Sequence, residues 1–270
     1  MFNLKEILAA ETYSQSALVS QVFWGLLACE IVNQKSREVT ELTTVRKIKD
    51  ILKSRLSESP MQMLHQTSWL LHWCLVFSFT AEKSNGLFAA LLADKSNFGD
   101  AYLNVVQLRC PHLMRHMVAS FLLGRSNYQP QPQTSRTPIN TLSKDAIYTV
   151  ALPIIIAEEE VYSDAFTKFT VALLDEFDFE RAIKLANEIY DEASNDLLLR
   201  PHAAELRRQA LLYVFEVKSR LYGQGQDLKQ FCEDNQITEE GCSANVVSNL
   251  QEQGMIVVQQ SDGKIAIQGN

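Results

Sequence analysis

Over most of its length this chain alternates apolar and polar positions with a helical period, which prolines and polar clusters cut into hairpin-sized pieces. From about Ala17 to Val32, Leu18, Val22 and Leu26 stand beside Phe23, Trp24 and Leu27, a crowding that predicts a largely buried helix. From about Glu38 to Leu56, Leu42, Val45, Ile48 and Leu52 form one stripe, while Arg46, Lys47, Lys49, Lys53 and Arg55 take the rest. That basic set reads as the solvated face of an amphipathic helix, not as an RNA site. Beyond the break at Ser57 to Pro60, the helix predicted from Gln62 to Phe79 carries Leu64, Trp69, Leu70, Trp73 and Leu75 on more than one face, so neighbours pack on both sides of it. Shorter helices follow at Gly86 to Leu92 and Tyr102 to Leu108. Pro111 then suits the first turn of a helix reaching Leu123, because its missing N–H costs no bond there.

Residues 124–143 interrupt the pattern with Pro130, Pro132, Pro138 and several Gln, Ser and Thr residues, and read as a mobile surface loop. Helical spacing resumes near Lys144 and is expected to bend or break at Pro153. Asp178 is the expected N-cap of a helix with Ala182, Leu185, Ala186, Ile189, Tyr190 and Ala193 on its buried face, stopped at Ser194-Asn195-Asp196. In the next helix Leu206, Ala210, Tyr213, Val214, Val217 and Leu221 share one face, and Gly223 suits the position just past its end.

Residues 224–270 change character. Short helices are expected near Gln226 to Cys232, after Thr238, and from Ser243 to Gly254. Ile256 and Val258 then alternate with other positions, Asp262-Gly263 suits a two-residue turn, and Ile265 and Ile267 alternate again. With that turn Val258 faces Ile267, and the apolar side chains gather on one side of a β-hairpin. Three small helices and a hairpin are the layout of a winged helix. The fold class is therefore mainly α: helical-repeat (TPR-like) hairpins in 1–123, a loop in 124–143, further helical hairpins in 144–223 and a winged helix in 224–270.

Composition narrows the functions. The 270 residues are 46% apolar, enough for a continuous core, and 25 Lys and Arg against 32 Asp and Glu give a formal charge of −7. Such a balance provides no general attraction for nucleic acid or an anionic membrane, and leaves room only for a local, peripheral RNA contact. The longest apolar stretch, Ser68 to Phe79, is far short of the roughly 20 residues of a membrane span. Five scattered cysteines and the lack of a signal-peptide pattern point to reduced thiols in the cytosol or nucleus.

Catalytic motifs are missing. Gly223-Gln224-Gly225 lacks the third glycine of a dinucleotide loop, and neither a phosphate-binding lysine motif nor a Gly-x-Ser-x-Gly elbow occurs. Cys110, His112 and His116 come nearest to a zinc set, but no glutamate follows His112 and no Cys pair stands elsewhere, so they read as packed or hydrogen-bonded core groups. Glu158-Glu159-Glu160 reads as a solvated face. The expectation is no catalytic residue, no cofactor and no metal. A nucleic-acid role for the winged helix is opposed by charge: residues 224–270 hold two basic residues, Lys229 and Lys264, against seven acidic ones, and Ser243 to Gly254 contains neither Lys nor Arg. A protein-binding wing is the expected use, with Ile256, Val258, Ile265 and Ile267 as the partner interface and strand addition as one route.

Helical repeats that run into an acidic winged helix resemble the PCI domain shared by the proteasome lid, the COP9 signalosome and eukaryotic translation initiation factor three. Within that group, Trp69-Leu70-Leu71-His72-Trp73 and the run from Tyr102 to Arg115 resemble the e-subunit family of the initiation factor. Phe177-Asp178-Phe179, Asn195-Asp196 and Ile265 to Asn270 are similar to it too. The resemblance extends from roughly Val22 to the C-terminus and covers the later part of the family pattern, without the family's long N-terminal helical region. The loop around Pro130 and Pro132 resembles an insertion. The resemblance implies a non-catalytic scaffold whose winged helix joins those of neighbouring PCI subunits, in a complex that sits on the small ribosomal subunit, in the cytoplasm and away from membranes. A lid or signalosome subunit is the competing reading in the same class; a nucleic-acid reader and a zinc enzyme are those from other classes.

Overall fold

The computed structural model describes residues 17–33, 43–54, 60–80, 87–93, 97–126, 146–222, 228–237, 256–259 and 265–268. These residues are mostly helical, and the chain divides into two compact units, the first ending at Pro111 and the second starting at His112.

In the first unit α1 (Ala17–Asn33), α2 (Thr43–Ser54), α3 (Pro60–Thr80), α4 (Leu87–Leu92) and α5 (Asn97–Leu108) pack mainly on their neighbours in sequence, with α1 also meeting α3 and α3 meeting α5. This is the contact pattern of stacked helical hairpins. On α2 the apolar stripe is buried through Val45, Ile48 and Leu52, while Arg46, Lys47 and Lys53 are exposed. The Lys47 ammonium lies 5.4 Å from the centre of the Phe23 ring, so part of the basic face stays at home against α1. On α3 Leu70, Leu71, Cys74, Leu75, Phe77 and Phe79 are buried. Between α3 and α4 the Ser78 hydroxyl accepts the backbone N–H of Phe88 at 3.0 Å, satisfying a donor of the short helix's first turn that has no partner within the helix.

The second unit contains α6 (Leu113–Ser126), a π-helical turn (Ile147–Ala151) running into α7 (Leu152–Ala157), then α8 (Ala165–Leu174), α9 (Phe179–Asn195), a 3-10 turn (Arg200–His202), α10 (Ala203–Tyr222), α11 (Leu228–Asp234) and strands β1 (Ile256–Gln259) and β2 (Ile265–Gln268). The expected division after residue 123 differs from this one, because α6 packs on α8 and α10 and belongs wholly to the second unit. Pro153 does not break its helix. It sits in the first turn of α7, and the preceding turn widens, with the Leu152 N–H reaching back to the carbonyl of Ile147. Asp178 caps α9 by accepting the Arg181 N–H at 3.0 Å.

Two buried stripes are narrower than their periodicity suggests. Tyr190 and Leu221 are exposed instead of joining the buried faces of α9 and α10. On α10 every residue from Gln209 to Val217 is buried, because α6, α8 and α9 all pack around this helix. Residues 127–143 of the expected loop, and the expected helices after Thr238 and from Ser243 to Gly254, lie outside the described residues. No described helix is long and apolar enough to cross a membrane.

Candidate partner interface

The C-terminal segment is tied to the helical part of the second unit through α11. Leu228 and Cys232 are buried, as is Ile237 beyond the helix end, and the Phe231 ring packs against Phe215 of α10 with centroids 5.3 Å apart. Arg207 of α10 bridges three elements: its Nε donates to Asn187 Oδ1 of α9 at 2.8 Å, and its Nη2 donates at 2.8 Å to the carbonyl of Asn235, just past α11. Gln236 then turns the chain with a φ of 54°, in the left-handed region that a non-glycine residue rarely enters.

Strands β1 and β2 pair antiparallel, and all four residues expected to meet partners lie in them. Their register corrects the sequence reading. Val258 pairs with Ala266 and Ile256 with Gln268, while Ile267 pairs with Val257 and Ile265 with Gln259. The expected turn at Asp262-Gly263 lies outside the described residues, and a one-residue change of register exchanges the faces of a strand. By register, then, Ile256 and Val258 fall on the opposite face of the ribbon from Ile265 and Ile267.

The second unit also holds a polar network centred on Arg115, the last residue of the Tyr102 to Arg115 run. Its Nε donates to Asp164 Oδ2 at 2.8 Å, and its two terminal nitrogens lie 3.4 Å from Glu192 Oε2 and 3.7 Å from Asp196 Oδ2. Each carboxylate also anchors backbone. Asp164 caps α8 in a reciprocal box with Thr167, Glu192 accepts the Ala165 N–H at 3.1 Å, and Asp196 accepts from Leu198 and Leu199 at 2.9 and 3.2 Å. One arginine thus fixes α6 against the start of α8 and the end of α9. Arg115 and Asp196 stand 81 positions apart in the sequence, and the separate likeness of their two motifs to one family gave no hint that they meet.

The titration shifts follow from this arrangement. The hydrogen bond from His116, whose Nε2 is 3.3 Å away, and the two backbone N–H donors hold the Asp196 carboxyl well below the ordinary carboxylate range. Burial raises Glu192. Burial, with the Asp164 charge next to it, pushes the Tyr162 phenol up; its hydroxyl donates to Asp164 Oδ2 at 2.8 Å. Deeper in the unit, Arg125 of α6 pairs with Glu216 of α10; both side chains are almost fully buried, and the guanidinium lies 4.1 Å from the centre of the Tyr213 ring.

The zinc candidates do not converge among the described residues. Cys110 is buried in the first unit, His112 is exposed on the second, and His116 faces Asp196. No group of three or more His, Cys, Asp or Glu side chains suited to a metal occurs among the described residues. Glu159 and Glu160 are exposed and Glu158 half-buried.

These features describe a class: a mainly helical protein of packed helical hairpins, with a small two-stranded sheet at its C-terminal end. The particular relatives are curated proteins that carry the name of the E subunit of eukaryotic translation initiation factor 3. The chain is 30% identical to that of Botryotinia fuckeliana over 181 residues, covering 67% of this chain and 36% of the relative. It is 30% identical to that of Sclerotinia sclerotiorum with the same coverage, and 29% identical to that of Emericella nidulans, covering 67% of this chain and 37% of the relative. The chain therefore resembles that E subunit and spans little more than a third of the length of these relatives. No family model matches it.

Proposed function

We propose that the chain is a non-catalytic scaffold subunit of a translation initiation factor three complex, joining neighbouring PCI subunits and supporting initiation on the small ribosomal subunit in the cytoplasm. The similarity to proteins named as the E subunit of that factor carries this reading. In it the helices up to Pro111 are repeat hairpins, α6 to α10 the helical part of a PCI module and 224–270 its winged helix, with no cofactor or metal required. The acidic balance of 224–270 favours a protein over a nucleic-acid partner. Strand addition to the two-stranded ribbon uses backbone groups along its edge, so it does not need Ile256, Val258, Ile265 and Ile267 on one face.

Affinity capture of the tagged chain at moderate salt, with mass spectrometry and sedimentation of what comes with it, tests the reading. Several PCI subunits of the initiation factor together with small-ribosomal-subunit proteins are expected. Proteasome or signalosome subunits in their place would keep the class and overturn the assignment, and no stable partner would overturn the scaffold itself. Val258→Asp or Ile267→Asp, each on its own face of the ribbon, is expected to release the neighbours while circular dichroism stays helical. Unchanged capture by both variants would remove the ribbon from the interface.

A further inference from the structure

We propose that the turn between α8 and α9, with the end of α10 beside it, is a docking surface for an arginine-bearing basic segment of a partner protein. Two backbone bonds close the turn: the Glu176 N–H reaches the carbonyl of Val171 at 3.0 Å, and the Asp178 N–H that of Ala172 at 2.8 Å. Between them Phe177 takes a φ of 54°, just past a helix end, where glycine is the usual residue. Burial recovers little of the strain, because Phe177 is 48% exposed, and among the described residues neither an aromatic ring nor a cation stacks on it. Two residues on, Phe179 opens α9 and meets Tyr222 at the end of α10 edge to face, with centroids 5.9 Å apart, while Tyr222 itself is exposed. A strained, outward phenyl ring where glycine would close the same turn points to a contact outside the chain.

The charges that flank the rings say what makes that contact. Asp175, Glu176, Asp178 and Glu180 are all exposed. Arg181 pairs with Glu176, and its backbone N–H goes to Asp178. Asp175 and Glu180 have no ion pair among the described residues, and the next cation along α9, Lys184, is exposed and pairs with neither. Lys218 and Arg220 in the last turns of α10 are half-buried, so the exposed charge beside the rings stays acidic. An apolar helix laid across this surface would strip water from carboxylates and return nothing for it, and nucleic-acid phosphates would be repelled. A guanidinium suits both features: it stacks flat on a phenyl face, gives paired N–H bonds to a carboxylate and is held less tightly by water than an ammonium. The rings fix the place and the carboxylates fix the partner's sign. The surface uses none of the strand residues, so it goes beyond the role proposed for the ribbon and does not rest on it.

Anisotropy of a labelled hexa-arginine peptide, titrated with the full chain at physiological salt, tests the proposal. Saturable binding is expected, at least about three-fold tighter than that of hexa-lysine. Phe177→Gly keeps every charge and is expected to weaken binding about three-fold while the melting temperature holds or rises. Asp175→Asn with Glu180→Gln is expected to weaken it about five-fold, whereas Glu159→Gln with Glu160→Gln, an equal change of charge elsewhere, leaves it unchanged. If Phe177→Gly lowers the melting temperature, the contrast between those two double variants decides in its place. No saturable binding up to millimolar concentration would overturn the proposal, as would equal affinity for hexa-lysine, wild-type affinity in the folded Phe177→Gly variant, or equal weakening by both double variants.

Discussion

The two units tie neighbouring helices together by different means. In the first, the long helix α3 buries apolar side chains on several faces, and the polar ties described around it include a serine hydroxyl that accepts a backbone N–H and a histidine placed between an arginine and an indole. In the second, arginines reach across the packing. Arg125 is paired inside the core, Arg115 gathers three carboxylates, and Arg207 clamps the start of the C-terminal segment. Apolar packing tolerates small slides between helices because it has no direction, whereas a buried ion pair fixes one register and costs heavily when broken. The second unit is thus built to hold a fixed geometry, which suits the unit that carries the β-ribbon.

The largest test of that difference is in the core. Arg125→Met leaves Glu216 buried without its counter-ion and is expected to cost about 3–5 kcal/mol in denaturant unfolding, whereas adding Glu216→Leu should recover most of the loss. Equal instability of the single and double variants would mean that the pair serves packing rather than charge.

Arg115→Ala is expected to cost about 1–3 kcal/mol, since Asp164 is buried while Arg115 itself, Glu192 and Asp196 keep some access to water. The same cluster predicts the acid limb of stability. Asp196 is lowered in the folded state, so its contribution is complete above the ordinary pKa of about 3.9 and is lost as pH falls below that. Glu192 is raised and works the other way: its contribution is complete at low pH and fades as pH rises through its folded value. Asp196→Asn should therefore flatten the loss of melting temperature below pH 4, while Glu192→Gln should leave that limb in place.

The smallest effect is at the α8–α9 turn. Phe177 has a φ of 54° and is 48% exposed, so Phe177→Gly removes strain at little cost in packing and is expected to stabilise by about 1 kcal/mol. A large loss of melting temperature would show that the ring is held by more than its turn.

Legibility from the sequence varied with the range of the interaction. The Asp178 cap and the stop after Asn195 follow from neighbours a few residues away, and both were readable. The burial of α10 on nearly all sides was not, because Gln209 and Glu216 read as polar until their surroundings are known. Periodicity marked Trp24, Trp69 and Trp73 as packed, but whether such residues leave a space between them depends on how α1 and α3 meet. In the ribbon, alternation located Ile256, Val258, Ile265 and Ile267, while the pairing offset separated them into two sets.

By itself, then, the sequence determined the helical character, most helix limits, the Asp178 cap and the likeness to the E subunit of the initiation factor, since each depends on local spacing or on strings of neighbouring residues. Only the tertiary structure decided which unit owns α6, that Arg115 meets Asp196 and Arg125 meets Glu216, and which face each strand residue occupies. Those outcomes turn on contacts between residues tens of positions apart and on a one-residue register, and no local pattern encodes either.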